Sequence, residues 1–413
     1  MSERLWGADG DWSYADFAAR LGHTDSLLDV LVSTTGQSLP SWESLWSGAV
    51  SGSWNSAANW GAGGVPWDGD AITFSAAAGH KANANDVSGI LLTHVALVTF
   101  KEGGFTVTGN SLALDAGIRS TGDNAWAVPS TLSAGQAFAS RSGTLSLTST
   151  VDNNGYDLTL TGRGDLAASG AISGAGGLIK TGTGTATFTA ANSYTGGTTV
   201  KAGTLLLDFA TAASVLNASS ALTLGGGTLS VKGKNSGPTT QTLGNLTIAA
   251  GGSALAVNAN GGSSTTLTLG TIDATAVGGS LGITTSGTAI VKAATNKAST
   301  GIYGGRITYN NDWATTASGS APYTLSAYGG YTNLADSSDD SGTNYKQTGS
   351  RTRSASGSAY TLKLNTSGAS QSLSLGAAAG CCLSGARTTQ SPAARSRALP
   401  GPIWSSTSEG PVR

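Results

Sequence analysis

Charge and cysteine are what this chain has least of. Of 413 residues, 22 are Lys or Arg and 23 are Asp or Glu, leaving a formal net charge of −1 and only 11% charged residues. Soluble domains carry roughly 25%, so hydration of this surface must come mainly from Ser, Thr and Asn. So small a charge offers no electrostatic footprint for nucleic acid or an anionic membrane. The two cysteines, Cys381 and Cys382, are adjacent. Neighbouring Cys rarely bridge each other, and no His stands near enough in sequence to complete a zinc site. No cofactor is expected. No apolar run approaches the roughly 18 to 20 residues of a membrane-spanning helix, so direct membrane insertion is not expected either. The three His, His23, His80 and His94, are too scattered for a metal site or a Ser-His-Asp triad, and H-E-x-x-H and Walker patterns are missing.

What the chain does have is glycine, 61 residues of it, punctuating short apolar pairs. Leu145-Ser146-Leu147, Leu158-Thr159-Leu160, Leu222-Thr223-Leu224, Leu246-Thr247-Ile248 and Leu267-Thr268-Leu269 share one form: apolar, small polar, apolar. At a period of two, both apolar side chains of a unit point to one face and the Thr or Ser between them points to water. Such a composition differs from that of disordered chains, which lack recurrent aliphatic pairs. Two or three units fit a coil of about 20 to 30 residues. Stacking about a dozen coils at ~4.8 Å gives a rod roughly 60 Å long. An antiparallel sandwich is the competing reading, but its two-residue Asn-Gly and Asp-Gly hairpin loops are scarce here, while longer Gly-Gly and Thr-Gly corners dominate.

The stretch 176–207, GGLIKTGTGTATFTAANSYTGGTTVKAGTLLL, condenses this pattern into about one coil. Together with Gly174 it resembles the autotransporter-associated β-strand repeat of secreted and surface-displayed bacterial proteins. The matching positions are Gly174, Gly176, Leu178, Lys180, Gly182, Gly184, Phe188, Asn192, Tyr194, Gly196, Thr198, Val200, Gly203 and Leu205, with Gly177 inside the same motif. The resemblance implies an all-β, right-handed, single-stranded parallel β-helix at the cell surface, at the outer membrane or outside the cell. It implies no enzymatic activity and no catalytic residues, so these motif positions are expected to be structural. The N-terminus, acidic and interrupted, lacks the basic-then-apolar order of a signal peptide. For an exported chain this predicts a wrong start or a gene fragment, with a cytosolic location as the alternative. The translocating barrel of such proteins would need a few hundred further residues.

In order along the chain, 1–41 is expected to be a short helical or irregular appendage, with Phe17, Leu21, Leu28 and Leu31 at near-helical spacing. Residues 42–85 form a Trp-rich cap containing Trp42, Trp46, Trp54, Trp60 and Trp67, where bulky rings seal a first coil that has no neighbour below it. The β-helix proper is expected over 86–291 with the repeat at 174–207, followed by a loop-rich insertion at 292–358, last coils at 359–380, and a disordered or frameshifted tail at 381–413.

Polysaccharide lyases and hydrolases also use β-helices, and they need acidic clusters. The groups present are Asp68 with Asp70, and Asp336 with Asp339 and Asp340; both are expected in solvated loops. Arg163-Gly164-Asp165 spells a tripeptide displayed by integrin ligands, at a corner where any polar turn would serve. His94, inside Leu92-Thr93-His94-Val95, is expected to be structural. The leading expectation is a non-catalytic, monomeric scaffold or adhesin-like rod meeting a glycan or protein ligand outside the cell; a polysaccharide-active or glycan-binding β-helix, the latter using the tryptophans, is the alternative.

Overall fold

The computed structural model describes residues 43–61, 64–88, 91–297, 299, 301–334, 340–347, 351–353, 357–364, 373–375 and 381–383. The expected helical appendage at 1–41, and Trp42, lie outside them. Among the described residues the helical content is a single turn, Ala57–Asn59.

The described residues fall into two compact units, one within 43–297 and 307–327 and the other within 299–306 and 328–383. The first is a parallel β-solenoid. One face carries eleven strands in strict chain order, from Glu43–Trp46 through Leu158–Gly162, Leu178–Lys180 and Thr198–Val200 to Ile272–Asp273. Every neighbouring pair on this face is parallel, and Leu158, Leu178, Thr198, Leu222, Leu246 and Ile272 stand directly above one another. Parallel pairing at coil-length separation excludes the sandwich, which would join neighbours by hairpins.

The period-two pattern explains the core. An inward row on this face runs Ile72, Val98, Ile118, Phe138, Leu160, Lys180, Val200, Leu224, Ile248, each in register with the next and each buried. The intervening outward row carries Thr159, Ile179, Thr199, Thr223 and Thr247. A second face repeats this arrangement from Ala82–Asn85 to Gly279–Ser286. A third position in the coil holds five short strands, from His94–Val95 to Ile172–Ser173, then lapses, and resumes as Pro238–Thr242, Ser264–Leu269 and Ala289–Ala293. The coils of the repeat are those in which the third strand is missing.

Both ends of this stack are built differently from its middle. At the start, Trp46, Trp54 and Trp60 are 0%, 0% and 5% exposed. Trp46 and Trp54 both pack edge-on against Trp60, at 4.9 Å and 5.5 Å, and the column continues through Phe74 stacked on Phe100 at 4.7 Å. At the other end the chain turns antiparallel. Ile307–Tyr309 pairs with Asp312–Thr316, which pairs with Tyr323–Ala327, which pairs with Ala289–Ala293. Part of the stretch expected as a loop-rich insertion therefore forms ordered strands joining the second face to the third.

In the second unit, parallel pairing resumes. Thr332–Asn333, Asp340–Gln347, Gly357–Leu364 and Cys381–Leu383 are consecutive strands of one sheet, and Arg351–Arg353 pairs with Leu373–Leu375. Leu334, Tyr345, Ala359 and Leu362 form its buried cluster. The expected tail thus begins with a strand, Cys381–Leu383; the remainder of 384–413 lies outside the described residues.

Candidate functional site

The repeat coil is the most specific feature in the sequence, and the structure uses its motif residues for coil-to-coil contact. Leu178, Val200 and Leu205 are inward and buried. Lys180 occupies an inward position between Leu160 and Val200 and is 3% exposed. Its aliphatic stem stands in for a core side chain, while Nζ donates to the carbonyls of Gly182 and, at 3.3 Å, Ala202. Burial lowers the Lys180 pKa from its ordinary value, and the nearby Asp165 carboxylate opposes that shift.

Asn192 substitutes for part of the missing third strand. Its Oδ1 accepts the Ile172 N–H at 2.8 Å, where the face ends, and its Nδ2 donates to Val215 O at 2.9 Å in the following coil. The carboxamide acts as one peptide unit of the absent strand. Tyr194, fully buried, shares a hydrogen bond of 2.7 Å with Thr198 Oγ1, which contacts Ser220 Oγ, which donates to Gly196 O at 2.9 Å. Burial raises the Tyr194 pKa, and the Thr198 hydrogen bond only partly offsets this.

The glycines are needed for space. Gly103, Gly122, Gly143, Gly164, Gly184 and Gly203 form a column at one corner, and a Cβ on any of them would come within 3.0 Å of backbone in an adjacent coil. Gly182 meets Gly162, Gly196 meets Gly176 and Gly176 meets Tyr156 in the same way, while a Cβ on Gly177 would approach the Asp157 carboxylate. The Arg163-Gly164-Asp165 tripeptide lies in this column: Gly164 packs on Gly143, and Asp165 accepts the Thr185 N–H at 2.7 Å. It is a tight coil corner rather than a projecting loop.

The acidic candidates do not converge on paired-carboxylate chemistry. Asp70, 5% exposed, accepts from Ser44 Oγ at 2.9 Å and from Trp67 N at 3.0 Å. Asp68 accepts from the backbone of Thr93 and His94 and from Thr93 Oγ1. Asp336 and Asp339 lie outside the described residues; Asp340 is described as backbone in a strand. Buried tryptophans at 46, 54 and 60 spend their indole N–H groups on His80 O, Asn83 Oδ1 and Trp54 O, so these rings offer no open face to a sugar.

One contact escaped the sequence reading. The half-exposed His94 ring places Nδ1 3.1 Å from Asp115 and Nε2 4.0 Å from Asp68. The two carboxylates stand 26 residues before and 21 after the histidine, close to one coil period each, and that spacing is the signal in the sequence. They flank the ring from opposite sides. No group of three or more His, Cys, Asp or Glu placed to hold a metal occurs among the described residues, and none of their helices is long and apolar enough to cross a membrane.

Taken together, fold and coil define a parallel β-solenoid whose best-marked turn is a packing motif. Residues 178–207 match the family model of the passenger-associated-transport-repeat, and the chain fits an autotransporter-associated repeat protein of passenger-like type. An extracellular or cell-surface location follows from that repeat, which suggests a structural rather than a catalytic part. Comparison with curated proteins and with solved structures gave no match.

Proposed function

We propose that the chain is a non-catalytic scaffold of adhesin-like type, a stack of coils that carries its corners and loops outside the cell for contact with a surface glycan or protein. The observation that supports this reading most directly is the use of the repeat. Lys180, Asn192, Thr198 and the glycines spend polar groups and space on neighbouring coils, and Tyr194 braces Thr198 four residues on, as a supporting element does. Asp68, Asp70 and Asp165 serve backbone or hydroxyl groups, and between Asp68 and Asp115 stands the His94 ring. An enzymatic role on glycans would instead need carboxylates about 5 to 10 Å apart around an open cleft.

Two measurements test the proposal. Purified full-length chain incubated with neutral and acidic polysaccharides should release no new reducing ends or unsaturated products; turnover of any of them would overturn the non-catalytic reading. Protease shaving of intact producing cells should remove the chain while leaving cytosolic markers whole, and a fully protected chain would contradict the surface assignment.

A further inference from the structure

On the face that begins at Glu43–Trp46, one outward column ends its run of small residues in a cation at either side. Thr99, Arg119, Ala139 and Thr161 are directly paired in successive coils. Thr181 and Lys201 continue the column, their N–H groups reaching Leu160 O at 2.9 Å and Lys180 O at 2.8 Å. Arg119 is exposed between the buried Ile118 and Ser120, and Lys201 is exposed after the buried Val200. From one to the other is four coil steps, about 19 Å at the parallel strand spacing. Only Ala139, Thr161 and Thr181 stand between them, so the floor is low.

Two more cations flank this floor. The strand Gln136–Ser142 slips register against its neighbour between Ser140 and Ser142, which makes Arg141 the extra residue of a bulge and leaves it exposed. Such bulges turn a side chain out of the ladder. Arg163 follows in the next coil, half-exposed, directly after Leu158–Gly162.

The charges in this frame are unbalanced locally, whatever the net charge of the chain. Lys81, Lys101 and Lys232 meet Glu102, Glu43 and Asp208, whereas among the described residues no ion pair includes Arg119, Arg141, Arg163 or Lys201. Asp123 and Asp165, just past the glycine corner, accept from Thr144 N at 2.8 Å and Thr185 N at 2.7 Å instead. Three arginines in successive coils repel one another at a cost to stability. A bound polyanion would remove that cost.

We infer that this strip, from Arg119 to Lys201, is a docking surface for a linear glycan bearing carboxylates, a polyuronate. The inference rests on the glycan-contact reading above and narrows it. Guanidinium groups present a planar fork that matches the two oxygens of a carboxylate. The outward hydroxyls of Thr159, Thr161, Thr181 and Thr199 suit a hydroxyl-rich chain. A protein partner would need aromatic or aliphatic anchors, and the only large apolar side chain on this floor is Ile179. A single nucleic-acid strand would need aromatic platforms for its bases, and the outward residues between Arg119 and Lys201 include none.

The test titrates the full chain into fluorescein-labelled polygalacturonate and follows anisotropy. Wild type should bind saturably, more weakly as NaCl is raised, and should not bind labelled neutral dextran. Arg119→Gln with Arg141→Gln should weaken binding about tenfold. Lys234→Gln, at the corner after the second face, should change it by less than about twofold. No binding by the wild type overturns the inference, as does an equal loss in Lys234→Gln or equal affinity for duplex DNA. A chain that protease shaves from the cell surface but that ignores polygalacturonate loses the strip and keeps the scaffold reading. Should circular dichroism show the double variant misfolded, Lys201→Gln takes its place; a loss of about threefold then supports the strip, and unchanged affinity overturns it.

Discussion

Lys180 shows how a single residue can be read two ways. In sequence it is a cation in a repeat; in the coil it is a core residue with an ammonium tip. Lys180→Ala removes both stem and tip and is expected to cost about 2 to 4 kcal/mol in urea unfolding. Lys180→Met keeps the stem and is expected to stay within about 1.5 kcal/mol of the wild type. Because burial holds the folded-state pKa below the unfolded value, the unfolded chain binds more protons in the window just under the ordinary lysine pKa of 10.5. Stability conferred through Lys180 therefore rises with pH across that window. The difference between wild type and Lys180→Met, followed by thermal unfolding at several pH values, should shift in favour of the wild type as pH rises; a difference constant with pH would contradict the buried ammonium. The glycine column supplies a second contrast. Gly184→Ala should destabilise by about 3 kcal/mol, since its Cβ would meet Gly164 backbone. Gly197→Ala, 3.5 Å from Ala221 O and at ordinary φ, should change stability by about 1 kcal/mol or less.

Among the elements, the strands were the most legible part. A unit such as Leu158-Thr159-Leu160 declares its inward and outward residues by alternation alone, and the structure buries Leu158 and Leu160 as that alternation requires. The cap of Trp46, Trp54 and Trp60 was legible for a related reason, since large rings have few places to go other than a core. What could not be read was any contact made across coils, because its partners sit about a coil apart in sequence without a shared local pattern. The Asp68, His94 and Asp115 group is one case and the amide of Asn192 another. The closing strands carry no Asn-Gly or Asp-Gly hairpin signal in the sequence; Asn310-Asn311 makes the same bend with two positive φ values. Asn192→Ala leaves Ile172 N and Val215 O without their side-chain partner and should cost about 1 to 3 kcal/mol. Hydrogen exchange ought to localise that loss to Ile172–Ser173; uniform loss over the coil would argue that the amide is not a strand substitute. Trp54→Ala, by contrast, removes a fully buried ring and should cost about 3 to 5 kcal/mol, with the first coils fraying before the rest.

Seen whole, the first unit is held by ladders and aliphatic rows rather than by charge. The ion pairs between Lys81 and Glu102, Lys101 and Glu43, and Lys232 and Asp208 each include a partly exposed lysine, and such surface pairs add about 0 to 1 kcal/mol apiece. Raising NaCl from dilute buffer to 1 M should leave the denaturation midpoint almost unmoved, in keeping with a chain that is only 11% charged. The account rests on parallel stacking, with each outward residue one strand spacing from its counterpart in the next coil. Ala137, Thr159, Ile179, Thr199, Thr223, Thr247 and Asp273 form one such column. Pulsed electron resonance between a nitroxide at Ala137 and a second at Thr199, Thr223, Thr247 or Asp273, with Cys381 and Cys382 replaced by Ser, measures it directly. Distances should lengthen by about 4.8 Å for each coil passed; distances that fail to grow in that order would contradict the stack.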